Sequence, residues 1–159
     1  MNDQSALERL LADLRLRLGQ EIHCSDWLEV SQQRIDAFAQ ATGDLQWIHT
    51  DPVRAARESP WGGTVAHGYL TLSLYPALRG LVEAREPLFP GVTRMVNYGL
   101  DKLRFPNAVR SGSRVRAHYV LLKAEEVPGG LQLTERYTVE IDGESKPACV
   151  AEAIVRAYF

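Results

Sequence analysis

Apolar positions recur every three or four residues up to about residue 83, and every second residue after Pro90-Gly91. That change of period, from 3.6 to 2, divides the chain into a helical part and a part made of strands. Leu7, Leu10, Leu11, Leu14 and Leu18 share one face, between a Ser5-x-x-Glu8 capping box and Gly19. They predict an amphipathic helix over 5–18, an extra N-terminal element docked on the domain or on a partner. A second helix is predicted from Ser31 as N-cap to Gly43, with Ile35, Phe38 and Ala39 inward. A third, short helix takes Asp51 as N-cap and Pro52 at its first position, where a missing N–H costs nothing.

The most apolar segment runs from about Val65 to Glu83. Tyr69, Leu70, Leu72, Leu74, Tyr75, Leu78 and Leu81 surround it, which predicts a long helix buried on most sides. Pro76 falls inside it and removes the bond to the Leu72 carbonyl. In a regular helix interior that costs about 3 kcal/mol, so a kink or early break is expected. Strands are predicted over 93–105, 113–124, 131–142 and 147–158. The clearest has Leu131, Leu133, Tyr137, Val139 and Ile141 alternating with Gln132, Thr134, Arg136, Thr138 and Glu140. Turns at Pro128-Gly129-Gly130 and Asp142-Gly143-Glu144 make the last three strands antiparallel neighbours. Helices followed by strands describe an α+β fold, with an antiparallel sheet wrapped around the central helix.

Composition narrows the partners. A length of 159 residues favours one domain over 1–159, and 45% apolar residues suffice for one core. A net charge of −2 gives no electrostatic reason to expect nucleic acid or an anionic membrane. No stretch approaches the ~20 apolar residues of a membrane span. Arg9, Asp13, Arg15 and Arg17 interrupt the first twenty residues, so no signal peptide is expected there. Cys24 and Cys149 form neither a CxxC motif nor a disulfide framework, which points to a reducing cytoplasm.

The chemistry-bearing residues cluster in two runs. Thr42-Gly43-Asp44-Leu45-Gln46-Trp47-Ile48-His49 offers a carboxylate and an imidazole in a segment that reads as loop. Five positions apart, the two side chains need a bend to meet; alone, Asp44 is also a turn aspartate and His49 a half-buried histidine. Gly62-Gly63-Thr64-Val65-Ala66-His67-Gly68 leads into the apolar helix. There the Gly68 N–H, unpaired in a first helical turn, can receive developing negative charge; the plainer reading is close packing at a helix start. No nucleotide-binding glycine pattern is present. His23, His49, His67 and His118 are scattered without metal-ligand spacing, so no metal site is expected. Ser73 lacks a nucleophile elbow and reads as a small packing residue. Arg94, Lys102, Arg104, Arg110, Arg114 and Arg116 are a solvated face or, more sharply, contacts to the phosphates of a nucleotide-bearing substrate.

Gly43-Asp44-x-x-x-x-His49, followed by Asp51-Pro52 and Ala55, resembles the signature of the MaoC-like hydratases. That family has the hot-dog fold and includes the (R)-specific enoyl-CoA hydratases. Gly63-Thr64-Val65-Ala66-His67-Gly68 is similar to its second element. Gln46-Trp47-Ile48-His49 and the run Val96–Pro106 resemble the nodulation-protein-N-like branch. The chain departs from the commoner wording at Gln46 and Trp47, where asparagine and proline stand, and at Ser113, where an acidic residue is usual.

The resemblance implies a hydro-lyase that adds water to trans-2-enoyl thioesters, or removes it from 3-hydroxyacyl thioesters. Asp44 and His49 are implied as the acid/base pair on one water, and Gly68 as the thioester-oxygen donor. Gln46, Trp47 and Ser73 are candidate substrate contacts. No metal or redox cofactor is implied, because the thioester already acidifies the α position. The implied partners are an acyl-CoA or acyl-carrier-protein thioester and a second copy of the chain in a homodimer. Other readings are a hot-dog thioesterase and a non-catalytic acyl-thioester-binding protein, for which Trp47 would serve as a wall.

Overall fold

The computed structural model describes residues 3–81 and 88–159, with side chains from Leu7 onward. In chain order the elements are α1 (Asp3–Leu16), β1 (Glu21–Cys24), β2 (Leu28–Glu29), α2 (Gln32–Thr42), α3 (Trp47–Thr50) and α4 (Pro52–Glu58). They continue with α5 (Gly68–Ser73), α6 (Tyr75–Arg79), β3 (Arg94–Arg104), β4 (Arg114–Val127), β5 (Gly130–Ile141) and β6 (Cys149–Tyr158). All strand pairings are antiparallel, in the order β1-β4-β5-β6-β3, with β2 also on β4.

The four long strands lie where the alternation predicts them. On β6 the small residues Ala151, Ala153 and Ala157 face inward with Val155, and on β4 Ala117 does the same. Short side chains at those positions let a helix approach the sheet closely. Against this face lie Leu70 and Leu74 from the α5 segment and Tyr75 and Leu78 from α6, all buried. α5 contacts β6 and α6 contacts β4, so the helical segment crosses the concave side of the sheet.

The predicted long helix is shorter, and it breaks near Pro76 as expected. It starts at Gly68, because Val65 is drawn into a bridge with Arg110 instead. Leu74 separates α5 from α6, and Pro76 occupies the first turn of α6, where its missing N–H is harmless. Hydroxyls from the sheet bond to carbonyls of this region: Tyr137 donates to the Thr71 oxygen at 2.9 Å and Tyr119 to the Tyr75 oxygen at 3.0 Å. Tyr69 is 66% exposed, contrary to the all-round burial predicted. Residues 82–83 lie outside the described residues.

At its N-terminus, α1 begins two residues before the predicted start and ends at Leu16, with Leu11 and Leu14 buried and Leu7 and Leu10 half-buried on the core. Leu18 lies past the helix end and is exposed. Two short strands and α3 escape the periodicity, being only two to four residues long. Two predicted caps hold: Ser31 accepts from the Arg34 N–H at 3.3 Å, and Asp51 from the Arg54 N–H at 2.9 Å; the predicted capping-box serine, Ser5, falls inside α1 instead of at its start. The apolar C-terminal strand β6 lies between β5 and β3 in the sheet. β3 is the edge strand at the other end of the sheet from β1, and Val96, Tyr98 and Leu100 on it are exposed.

Two charged groups sit at the centre. Arg79 donates through Nε and Nη2 to the two oxygens of Glu135, each at 3.0 Å, and the Tyr75 hydroxyl adds a bond of 2.6 Å. Arg79 is 4% and Glu135 1% exposed. Removing one partner strands the other charge, so Glu135→Gln is expected to cost about 3–5 kcal/mol. Melting should fall by roughly 6–20 °C, with the Arg79→Met/Glu135→Leu double variant recovering most of the loss. A single variant that melts with the wild type would show that the pair is idle.

On the outer face, His118 of β4 bridges Glu21 of β1 and Glu140 of β5, each at 2.9 Å. The bond to Glu140, then Glu21, raises the imidazole pKa above its ordinary 6.5 despite some desolvation. Arg116 and then His118 hold the Glu140 carboxyl below its ordinary 4.5. A raised pKa stabilises the fold fully below pH 6.5 and loses that contribution as pH rises through the folded value. A depressed one contributes above pH 4.5 and fades on acidification. The melting difference between wild type and His118→Gln should therefore peak near pH 5 to 6 and shrink toward alkaline pH. A pH-independent difference would refute the staple.

Candidate active site

Three separate elements converge on one point. α2 ends at Gly43, whose φ of 77° is the left-handed conformation that glycine adopts without strain. The turn this makes delivers Asp44. Gln46 caps the helical turn α3, with the His49 N–H bonded to its carbonyl at 2.9 Å, and α3 carries His49 inward to 6% exposure. The third element is the run before α5, where Thr64, Val65, Ala66 and His67 are all buried. One carboxylate oxygen of Asp44 and one ring nitrogen each of His49 and His67 lie within 4.8 Å of one another. The bend that the Asp44–His49 spacing required is thus present, as a glycine turn followed by a helical turn.

Hydrogen bonds fix the tautomers. His49 Nδ1 lies 2.6 Å from the Val65 carbonyl, which can only accept, so Nδ1 carries the proton and Nε2 a lone pair. Burial is the main cause that depresses the His49 pKa, with His67 adding to it; the bond to Val65 and the charge of Asp44 oppose. His49 is therefore a neutral base at pH 7. Gln46 donates to Asp44 Oδ1 at 2.9 Å, and this bond is the main reason the Asp44 carboxyl lies below its usual range. Gln46 belongs to the site in this way, through Asp44.

His67 was visible in the sequence only as part of a helix lead-in. In space its ring stacks on His49, with centroids 3.7 Å apart and planes at 24°. Its Nε2 donates to the Asp44 carbonyl at 3.0 Å and lies 4.0 Å from Asp44 Oδ2. The scattered histidines are thus partly gathered, into a set with the composition of a metal site. The geometry argues against one. A metal must lie in the plane of each imidazole that binds it, and two rings stacked this way cannot both aim at a point about 2.1 Å away. The second such set, Glu21, Cys24 and His118, has both imidazole nitrogens engaged by carboxylates.

A cleft of about 330 Å³ opens beside His49 and is lined also by Trp61, Gly68, Thr71, Phe105 and Asn107. Gly68 is the first residue of α5, so its N–H has no partner within the helix. The Phe105 ring lies so close that a Cβ at Gly68 would stand 2.8 Å from it, which explains the need for glycine. Trp61, next to the Gly62–Gly68 run, and Phe105, inside the Val96–Pro106 run, were given no role by the sequence, since only the fold brings them to the cleft. Asp44 is not among the residues lining this cleft; its side chain is 42% exposed beside the histidine pair. Trp47 is also outside, stacked under the Arg54 guanidinium at 4.3 Å. Ser73 lies apart from all of these, donating to the Tyr69 carbonyl at 2.7 Å and lining a second cavity between the helices and β3 and β6.

A sheet wrapped on a broken helix, with a carboxylate–imidazole pair near that helix's first N–H, defines the class as a hot-dog fold of the hydratase type. Residues 14–141 match the MaoC-like domain family, and the chain belongs to that family. It is 48% identical over 147 residues to 3-hydroxyacyl-thioester dehydratase Z of Mycobacterium tuberculosis, covering 92% of this chain and 94% of that one. It is 47% identical over 156 residues to nodulation protein N of Rhizobium leguminosarum bv. viciae, covering 96% and 93%. Among solved structures it is similar to an (R)-hydratase from A. caviae, with a TM-score of 0.66, 26% identity and coverage of 87% and 94%.

Proposed function

We propose that the chain hydrates trans-2-enoyl thioesters to (R)-3-hydroxyacyl thioesters, or runs the reverse dehydration, with CoA or acyl carrier protein as the carrier. The observation that carries this reading is the meeting of Asp44 and His49 next to a cleft shared by His49 and Gly68. The 48% identical relative is named as a 3-hydroxyacyl-thioester dehydratase, which supports the substrate class. A carboxylate and a neutral imidazole can together take a proton from one water as its oxygen attacks the β carbon. One O–H bond of the water breaks and a C–O bond forms at the β carbon as the Cα–Cβ π bond opens; its electron pair passes to the thioester as an enolate and then takes a proton at the α carbon. Between those events charge gathers on the thioester oxygen, where the Gly68 N–H is the donor. The thioester supplies the acidity of the α position, so the sequence of steps draws on no metal or redox group.

Asp44→Asn and His49→Ala are each expected to lower kcat by about 10²–10⁴-fold on crotonyl-CoA, followed by loss of the enoyl absorbance. Turnover within a few-fold of wild type in both variants would remove the mechanism. Thiol release from saturated acyl-CoA without any 3-hydroxyacyl product would indicate a thioesterase instead.

We further infer a homodimer joined along β3. Among the described residues that strand pairs only with β6, and it exposes Val96, Tyr98 and Leu100, a combination that soluble proteins ordinarily cover. Two copies paired edge to edge would cover it and wall the open side of Asp44. Light scattering at micromolar protein should give twice the chain mass, and Leu100→Glu should lower it. A monomer with full hydratase activity would overturn the assembly. Cytoplasmic location fits the free thiols of Cys24 and Cys149.

A further inference from the structure

We propose that His67 is a positioning residue, one that holds the Asp44 turn, the His49 ring and the start of α5 in a single arrangement. The inference rests on the hydratase reading for what that arrangement does, but its geometry stands by itself.

His67 engages each of the three groups through a different part of itself. Its Nε2–H ties down the Asp44 carbonyl at 3.0 Å, which fixes the turn that follows α2. Its ring face lies against His49 at 3.7 Å, limiting rotation of the imidazole about the Nδ1–Val65 bond. Its backbone is the N-cap of α5, and its carbonyl receives the N–H groups of Leu70 and Thr71 at 3.0 and 3.2 Å. The residue that carries the ring is thus fixed in the backbone at the start of the helix that presents Gly68. Phe38 of α2 packs on the same ring at 5.1 Å, so the side chain is held as well as holding.

The energetics identify this as more than a packing histidine. His67 is 3% exposed, yet Nδ1 has no hydrogen-bond partner, the one buried side-chain polar atom so placed among the described residues. A buried polar atom without a partner costs about 1–3 kcal/mol, and an apolar residue of similar size would avoid that. The cost is offset only by what the other nitrogen and the ring face secure. Both secure groups of the site.

Asp44 and His67 are the titratable groups that face His49, so the His49 titration reports on their placement. Three variants separate the two contacts. His67→Phe keeps a ring face and loses the donor, His67→Gln keeps a donor and loses the ring, and His67→Ala loses both. In folded His67→Ala, kcat on crotonyl-CoA should fall about 10–100-fold with KM changed by less than about threefold, the signature of misplacement by a fraction of an ångström. His67→Gln and His67→Phe should each recover part of the loss.

Nuclear magnetic resonance titration of the His49 ring in the full chain provides a readout independent of turnover. Its midpoint should rise in His67→Ala and His67→Gln, as the neighbouring imidazole is lost and the ring hydrates. Unchanged kcat together with an unchanged His49 midpoint in folded variants would overturn the proposal. If the wild type itself fails to hydrate crotonyl-CoA, the hydratase reading fails separately. The His49 midpoint then decides: a shift keeps the positioning role, and no shift in any variant removes it.

Discussion

The buried pairing of Arg79 with Glu135 is the interaction on which the remaining geometry depends. Neither charge reaches water, so each is tolerable only while the other faces it. Arg79 closes α6 and Glu135 lies midway along β5, so the ion pair specifies one docking of helix on sheet. A purely apolar contact would allow sliding at little cost. The Tyr75 hydroxyl takes part in the same cluster, and Tyr119 and Tyr137 add directional bonds to carbonyls of the helical segment. Aromatic edges between these three tyrosines, with centroids 5.2 to 5.4 Å apart, fill the space around the bonds.

That docking reaches the site through the chain itself. With α6 fixed on β4 and α5 on β6, the residue at which α5 begins is fixed too. His67 and Gly68 occupy that start, and the preceding strand-like residues are held by Val65 and Ala66 bonding to the Ile48 and Val109 backbones at 3.0 and 2.7 Å. The Val65 carbonyl then orients His49, and the His67 ring orients Asp44 and His49 together. Gln32 steadies the other side, donating to the His49 carbonyl at 2.7 Å while accepting from Thr64. Asp44 and His49, the acid/base pair of the proposed mechanism, therefore sit on rigid elements although their own segment is a turn, which suits chemistry that depends on placement.

Much of the fold was legible because burial on a sheet imposes a period of two that needs no knowledge of partners. The β4, β5 and β6 strands read out directly, and Ser31, Asp51 and Gly43 marked helix ends through bonds made within a few residues. Glu135 was illegible for the same reason. It occupies an inward position of β5, where the pattern calls for an apolar side chain, and only Arg79, 56 residues away, makes sense of it. The helical break was half legible: Pro76 announced it, but the start at Gly68 depended on Val65 pairing with Arg110 across the fold.

The sequence by itself determined the local features: periodicity, caps, turns, the identity of Asp44, His49 and Gly68, and the family those motifs resemble. These follow from interactions within one turn of chain or from motif wording. Tertiary structure alone decided that His49 and His67 stack, that Phe105 and Trp61 line the cleft, that Ser73 and Trp47 lie outside it, and that β3 is an edge strand. Each of these is a contact between segments far apart in the chain. Their relative placement is set by packing and by the buried charges, so no local pattern carries it.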